Sequence, residues 1–381
     1  MMRAKYLPVF LSVLLAGVFT LPRTAAAFDT AAEYAVLMDY ETGTILWGKN
    51  PDEQMHPASM SKLMTLEMLF NALRDGTVSM DDEFKISEYA WRAGGAASGS
   101  STMFADLNST VPVHAILRGI IVQSGNDACI ATAEALSGSE AAFAEAMTER
   151  GKEIGLTNSE FTNSTGWPHP DHLMTAHDLA VLARHLIMDF PEYYPMFKET
   201  DFTWNGIKQG NRNPALYLDP SVDGLKTGHT EASGYGLVAS AERKDQRLIL
   251  VLNGLPSEKA RAVRLLDWGF RSFKHYKLFA AGTPVDNAPV WEGTYEQVPL
   301  VSKNDIDVIM SPDQRKEMKV SVVYEAPIMA PVETGQKIGT LKIEAPEMPV
   351  KEYPLVAGGA VERQGIFGRA MGALKHMILG S

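Results

Sequence analysis

One cysteine, Cys129, occurs in 381 residues, so no disulfide can form within the chain and the folded state must rest on a buried core. That cysteine sits in "NDACIATAEAL", where small and apolar residues alternate as on a buried helical face, which favours packing over nucleophilic chemistry. Basic runs are missing too. With 35 Lys and Arg against 46 Asp and Glu the net charge is -11, and the lack of any long basic stretch excludes general nucleic-acid binding. No apolar stretch reaches the roughly 20 residues that a helix needs to span a bilayer. The nearest, residues 7–21, follows Arg3 and Lys5 and precedes Ala25, Ala26 and Ala27, the order of an export signal with a small-residue cleavage site. Residues 1–27 are therefore expected to be removed, leaving Phe28 first.

What is present is a chain able to bury a large core: 45% of its residues are hydrophobic, and the length suggests two domains. "EYAVLMDYETGTILWGKNP" reads as a hairpin, with two apolar and aromatic runs on either side of Glu41, Thr42 and Gly43. Residues 59–73 read as a helix with apolar residues all round, the pattern of a helix buried in a domain centre. Further helices are expected at 112–123, 126–136, 139–154 and 176–188, the last opened by Thr175 and Asp178 as a capping box. Residues 158–173, rich in Asn, Thr, Gly, Pro and His, read as a loop. From Gly224 the texture turns to strands, "LKTGHT", "YGLVASAE" and "RLILVLNGL", an antiparallel meander with the helical pattern "ARAVRLLDWGFRSF" to pack over it.

Residues 280–289, "AAGTPVDNAP", have linker composition, and beyond them four segments alternate apolar and polar residues as strands of a small sandwich do. This second region carries no cluster of catalytic residue types, which suits spacing or docking. The last segment, "GIFGRAMGALKHMILGS", repeats Phe367, Met371, Leu374 and Ile378 on one helical line with Arg369, Lys375 and His376 mostly off it. A short basic amphipathic helix of this kind is expected to lie in a membrane interface, against the alternative of packing on its own domain or a dimer partner. The expected division is 1–27 signal, 28–279 catalytic domain, 280–360 C-terminal β domain and 361–381 membrane-associating helix.

"HPASMSKLMT" sets Ser59 and Lys62 three apart at the mouth of the central helix. That spacing brings the lysine amine within reach of the serine hydroxyl. A hydroxyl becomes a nucleophile when a base takes its proton, and lysine is such a base when burial and neighbouring cations hold it neutral. Unpaired N–H groups at the helix start can also stabilise an oxyanion. The S-x-x-K pattern alone is common by chance. Two later segments make it specific: Ser124, Gly125 and Asn126 in the turn between two helices, and Lys226, Thr227 and Gly228 on an expected strand.

These three motifs, in this order, resemble those of the penicillin-recognising serine enzymes, the penicillin-binding proteins and serine β-lactamases. "HPASMSKLMT", "IIVQSGNDACIA" and "DGLKTGHTEASGYGLVASA" look closer still to the low-molecular-mass D-alanyl-D-alanine carboxypeptidases of the penicillin-binding protein 5 and 6 type, over most of the mature chain. The resemblance implies an α/β (α+β) penicillin-binding transpeptidase/β-lactamase-like domain, its antiparallel sheet flanked by helices, followed by a small all-β domain and a terminal amphipathic helix. It makes Ser59 the nucleophile that forms an acyl-enzyme, Lys62 its base and Ser124 a proton relay to the leaving group. Asn126 would bind the substrate amide, and Lys226 would supply positive charge to the substrate carboxylate while helping to keep Lys62 neutral. Thr227 would orient that carboxylate, and the N–H groups of Ser59 and His229 would form the oxyanion hole beside Gly228.

A peptide ending in D-Ala-D-Ala offers an extended backbone to pair beside "KTGHT" and a carboxylate for cations, for which Arg261 is a second expected partner. The expected partners are peptidoglycan pentapeptides, β-lactams as inhibitors and the periplasmic face of the cytoplasmic membrane, with no metal or other cofactor. Three alternatives differ in chemistry. A serine β-lactamase would need a water-positioning Glu, for which Glu160 is the nearest candidate, one residue short of the class A spacing to Asn163. A zinc peptidase would draw on His169, Asp171, His172 and His177, a set without a recognised zinc spacing. A non-catalytic wall-binding protein is disfavoured because every motif residue is present.

Overall fold

A computed structural model of the chain describes residues 29–257 and 262–366. The expected signal segment, Arg261 and the apolar line of the terminal helix lie outside the described residues. β1 (Tyr34–Asp39) and β2 (Ile45–Lys49) form the expected hairpin. Its turn is fastened by Asp39, whose carboxylate accepts from the Thr42 N–H at 2.8 Å and the Thr42 hydroxyl at 2.7 Å. A 3₁₀ turn (Ala58–Ser61) then leads into α1 (Lys62–Arg74). Leu63, Met64, Leu66, Leu69 and Phe70 of α1 are all fully buried, so this helix runs through the core rather than over it.

β3 (Glu83–Lys85) pairs with β4 (Thr110–Pro112). Four helices follow: α2 (Val113–Ile121), α3 (Asn126–Ser137), α4 (Glu140–Glu153) and α5 (Ala176–Asp189). The Thr175 hydroxyl caps α5 by accepting from the Asp178 N–H at 2.9 Å. Asp178 does not complete a capping box. Its carboxylate accepts from the Asn158 N–H at 2.8 Å and the Ser159 hydroxyl at 2.7 Å, tying the 158–173 loop to the helix start. A hairpin of β5 (Asp201–Trp204) and β6 (Ile207–Gly210) and the short α6 (Ala215–Leu218) precede the meander of β7 (Val222–Thr230), β8 (Gly234–Arg243) and β9 (Gln246–Leu255).

The main sheet is antiparallel in the order β2-β1-β9-β8-β7. Its alternation divides the apolar residues between two faces. Val36, Met38, Ile249 and Val251 join the core of α1 to α5. On the other face Leu37 and Leu248 meet α7 (Ala262–Ser272), where a Cβ at Gly269 would stand 2.7 Å and 2.9 Å from their methyl groups. Helices thus cover both faces of the sheet, and β7 is left at its edge.

β10 (Lys274–Phe279), β11 (Pro284–Trp291), β12 (Gln297–Val301) and β13 (Ile306–Met310) begin the second domain. After α8 (Pro312–Glu317) come β14 (Lys319–Tyr324), β15 (Ile328–Met329), β16 (Lys337–Glu344) and β17 (Lys351–Ala357). A six-stranded sheet in the order β14-β16-β17-β12-β11-β15 packs with the β10–β13 pair around Val298, Leu300, Ile306, Met310, Leu341 and Leu355. β10, which begins at Lys274, pairs with β13, and bridges join Val361 to Val332 and Arg363 to Gly293. Much of the segment with linker composition is strand: Pro284 opens β11, where its missing N–H costs no ladder bond. Polar ties between the domains include His275 Nε2 at 3.0 Å from the buried Asp39 carboxylate and Lys351 Nζ donating to the Thr44 hydroxyl at 2.9 Å.

The contact that places the site is the approach of β7 to the 3₁₀ turn. A Cβ on Gly228 would lie 2.9 Å from the Pro57 carbonyl oxygen and 3.1 Å from the Met60 nitrogen, both backbone atoms that cannot swing aside. Gly228→Ala is expected to push β7 off the turn and destabilise the protein by about 1–3 kcal/mol. Thermal unfolding measures this, and an unchanged midpoint would show that the strand moves freely.

Candidate active site

In a 3₁₀ turn residues three apart eclipse one another, and this stacks Lys62 over Ser59, with Nζ 2.9 Å from Oγ. Ser59 is half-buried and Lys62 wholly buried. The second contact of the amine is with the Thr165 carbonyl oxygen at 2.5 Å, delivered by the 158–173 loop. Burial lowers the Lys62 pKa to about 8, and the Arg212 guanidinium lowers it too, against the opposing pull of the Asp127 and Glu140 carboxylates. The amine can therefore give up its proton near neutral pH. Cys129 is buried nearby, and burial pushes its thiol up to about 12, so it stays neutral.

The second motif enters from the turn between α2 and α3. Ser124 is buried there at φ +57°, a conformation that a non-glycine residue holds only under restraint. Its hydroxyl accepts from Lys226 Nζ at 2.9 Å, and that amine also donates to the Thr227 carbonyl at 3.1 Å. Burial, then the charges of Lys62 and Arg212, hold Lys226 well below the ordinary lysine range. Two serine–lysine pairs thus converge on one cleft of about 270 Å³, lined by Ser59, Ser124, Arg212, Thr227, His229 and Tyr235 among others.

The cleft runs along β7, whose outer edge has no partner strand among the described residues of the main sheet. Thr227 is half-buried, while His229 is exposed and stacked on Tyr235 with ring centroids 3.9 Å apart. Asn126, at the start of α3, is buried; its Nδ2 donates to the Ser100 hydroxyl at 3.0 Å while its Oδ1 has no hydrogen-bond partner among the described residues. That oxygen is a ready acceptor for an amide N–H. The structure therefore brings together Ser59, Lys62, Ser124, Asn126, Lys226, Thr227, Gly228 and His229.

Arg212 is a feature that sequence reasoning missed. It stands in "GNRNP" after the β5–β6 hairpin, donates to the Ser101 hydroxyl at 2.5 Å, and puts a cation into the cleft that acts on both lysines. A single arginine among turn residues has no periodicity to reveal it. The Thr165 carbonyl was also missed, since any residue supplies one. The residues weighed for other chemistries are placed elsewhere. Glu160 is exposed, its backbone bridged to Leu173. His177 pairs with Asp52 at 2.8 Å, and the buried His172 ring, held down to about 4 by burial and then by Lys62, accepts from the Thr162 N–H at 3.1 Å. No group of three His, Cys, Asp or Glu arranged for a metal occurs among the described residues.

Comparison with known proteins decides the lineage. The family model described as D-alanyl-D-alanine carboxypeptidase matches residues 22–256, and that described as the C-terminal domain of penicillin-binding protein 5 matches residues 273–363. The chain belongs to the D-alanyl-D-alanine carboxypeptidase family. Among its relatives, the D-alanyl-D-alanine carboxypeptidase DacA of Haemophilus influenzae is 39% identical, the match covering 89% of this chain and 87% of that protein. DacC of Escherichia coli is 37% identical over 94% of this chain and 92% of its own length. The crystal structure of penicillin binding protein 5 from Haemophilus influenzae superposes with a TM-score of 0.78 at 38% identity, covering 88% of this chain and 99% of that one. The cefotaxime-bound structure of penicillin-binding protein D2 from Listeria monocytogenes aligns at TM-score 0.55 and 26% identity, covering 64% of this chain and 98% of that one. Family membership and geometry agree on a serine acyl-transfer site.

The Lys62 pKa makes this testable. A base must be neutral to accept the Ser59 proton, so the acylation rate should rise with pH through about 8. Stopped-flow acylation by a chromogenic β-lactam measures it. A rate that is flat between pH 6 and pH 9, a range spanning about a unit or more on either side of that value, would remove Lys62 from the role.

Proposed function

We propose that the protein is a serine-type D-Ala-D-Ala carboxypeptidase that removes the terminal D-alanine from peptidoglycan stem peptides. The observation that carries this reading is the meeting of two buried serine–lysine pairs in one cleft beside the open edge of β7. An extended peptide adds to such an edge as another strand. Its terminal carboxylate then meets the Thr227 hydroxyl and the Arg212 cation, both on the cleft wall.

Neutral Lys62 takes the Oγ proton as Ser59 bonds to the carbonyl carbon of the D-Ala-D-Ala amide. The oxyanion so formed faces the backbone N–H groups of Ser59 and His229. When it collapses, the C–N bond breaks and the leaving amine takes its proton by way of Ser124, whose hydroxyl Lys226 holds at 2.9 Å. Water then adds to the Ser59 ester, returns a hydrogen to Oγ and releases the shortened peptide as a carboxylic acid. A β-lactam presents a strained amide and a carboxylate to the same groups, and its acylation of Ser59 leaves a covalent adduct. Labelling with a fluorescent penicillin should mark the wild type and leave Ser59→Ala blank; an adduct on the variant would sink the assignment.

Export and membrane association form the second part of the proposal. The order of charge, apolar stretch and small residues in 1–27 supports export to the periplasm, and the basic amphipathic pattern of 365–381 supports peripheral attachment to the membrane face there. No helix among the described residues is long and apolar enough to cross a membrane. Truncation before Gly365 should move the protein from the membrane pellet to the soluble fraction while the penicillin-binding activity remains. Retention in the pellet would assign attachment to another part of the chain.

A further inference from the structure

The carbonyl that meets Lys62 belongs to a turn with an unusual centre. Asn163 Oδ1 draws in four donors from three nearby residues: the Thr165 N–H at 3.1 Å, the Thr165 hydroxyl at 3.0 Å, the Gly166 N–H at 2.8 Å and the Trp167 N–H at 3.1 Å. Its Nδ2 donates back to the Trp167 carbonyl at 3.0 Å, closing the loop. The turn is pressed against the nucleophile's own backbone. At Gly166, φ is +78° and a Cβ would fall 2.0 Å from the Ala58 carbonyl oxygen, so this position admits no side chain. The intervening Ser164 is pinned from both sides: its hydroxyl donates to Glu140 at 2.7 Å, and its carbonyl accepts from the Thr65 hydroxyl at 2.6 Å.

Held in this way, the Thr165 carbonyl has one direction, and it points at Lys62 Nζ, 2.5 Å away. A neutral lysine amine has two N–H groups and one lone pair. When a fixed acceptor takes one N–H, the amine can no longer spin freely, and the lone pair can be held toward Ser59 Oγ, 2.9 Å away. We propose that Asn163 is a positioning residue for the catalytic base, organising the turn whose Thr165 carbonyl orients the Lys62 amine toward Ser59. Asn163 touches neither substrate nor the reacting atoms and acts through Thr165 alone. The inference rests on the assignment of Ser59 and Lys62 given above and extends it to the 158–173 loop.

The test uses the full chain and counts competent sites by fluorescent-penicillin labelling, so that each rate is per active site and misfolded protein drops out. Asn163→Ala should slow acylation at saturating β-lactam by about a hundredfold, the scale on which a misplacement of about 1 Å acts, with the half-saturating concentration unchanged. Asn163→Asp keeps an oxygen acceptor for the four donors and should recover most of the rate. Its pH profile should move to higher pH, because the new carboxylate favours the charged form of Lys62. The other groups around Lys62 stay as they are: Asp127 of α3 and the neutral thiol of Cys129 beside it, Glu140 of α4, Arg212, Lys226 of β7 and His172 of the 158–173 loop. Should Asn163→Ala fail to fold, Asn163→Ser, with a shorter acceptor, should give a rate between those of wild type and a tenfold or greater loss. Wild-type rates per site in the alanine or serine variant, or an aspartate variant as slow as alanine at every pH, would overturn the proposal. Failure of the Ser59 assignment would show separately, as labelling of Ser59→Ala.

Discussion

Two lysine amines buried side by side are the constraint around which this protein is built. Holding Lys62 at about 8 instead of near 10.4 opposes folding by about 3 kcal/mol, and burying Lys226 adds to the cost. Neither amine would stay where it is without a rigid enclosure. The enclosure is α1, whose buried Leu63, Met64 and Leu66 adjoin Lys62, with α3 and the 158–173 loop closing over it and β7 at its side. The same burial that opposes folding makes the amine a base at neutral pH. Stability and reactivity therefore pull against each other at one atom.

Three backbone segments meet there, and each holds a residue at positive φ: Ala58 at +49°, Ser124 at +57° and Gly166 at +78°. Sharp local turns of this kind are sustained by the packing around them. Here the packing is mutual, since Gly166 lies against the Ala58 carbonyl, Gly228 against Pro57 and Met60, and Lys226 against Ser124. Such mutual packing holds the candidate groups in fixed mutual positions, which is what an acyl-transfer site needs. The β domain stands apart from this chemistry and touches the catalytic domain through polar contacts at Asp39 and Thr44.

Much of the architecture was legible because it follows periodic patterns. The first hairpin, the all-round apolar helix after Ser59, the four further helices and the β7–β9 meander each stood out by the spacing of their apolar residues. The misreadings have physical causes. Thr175 and Asp178 have capping-box spacing, yet the Asp178 carboxylate is drawn away by Asn158 and Ser159 of a loop nearly 20 positions earlier. The 280–289 stretch has turn composition, yet β12 supplies a partner strand that turns most of it into β11. Short elements such as the β5–β6 hairpin have too few residues to show a period at all.

The sequence by itself determined the candidate reacting groups. Ser59 and Lys62 lie three apart, so local backbone geometry alone brings them together, and Ser124, Asn126, Lys226 and Thr227 are marked by motifs whose residue types the chemistry requires. Only the tertiary structure decided what surrounds them. Arg212, the Thr165 carbonyl and the Asn163 turn act on Lys62 from more than 100 positions away, and nothing in their local sequence distinguishes them from ordinary turn residues. The proton affinity of a buried amine is set by every charge and dipole around it in space, and those neighbours exist only once the chain has folded.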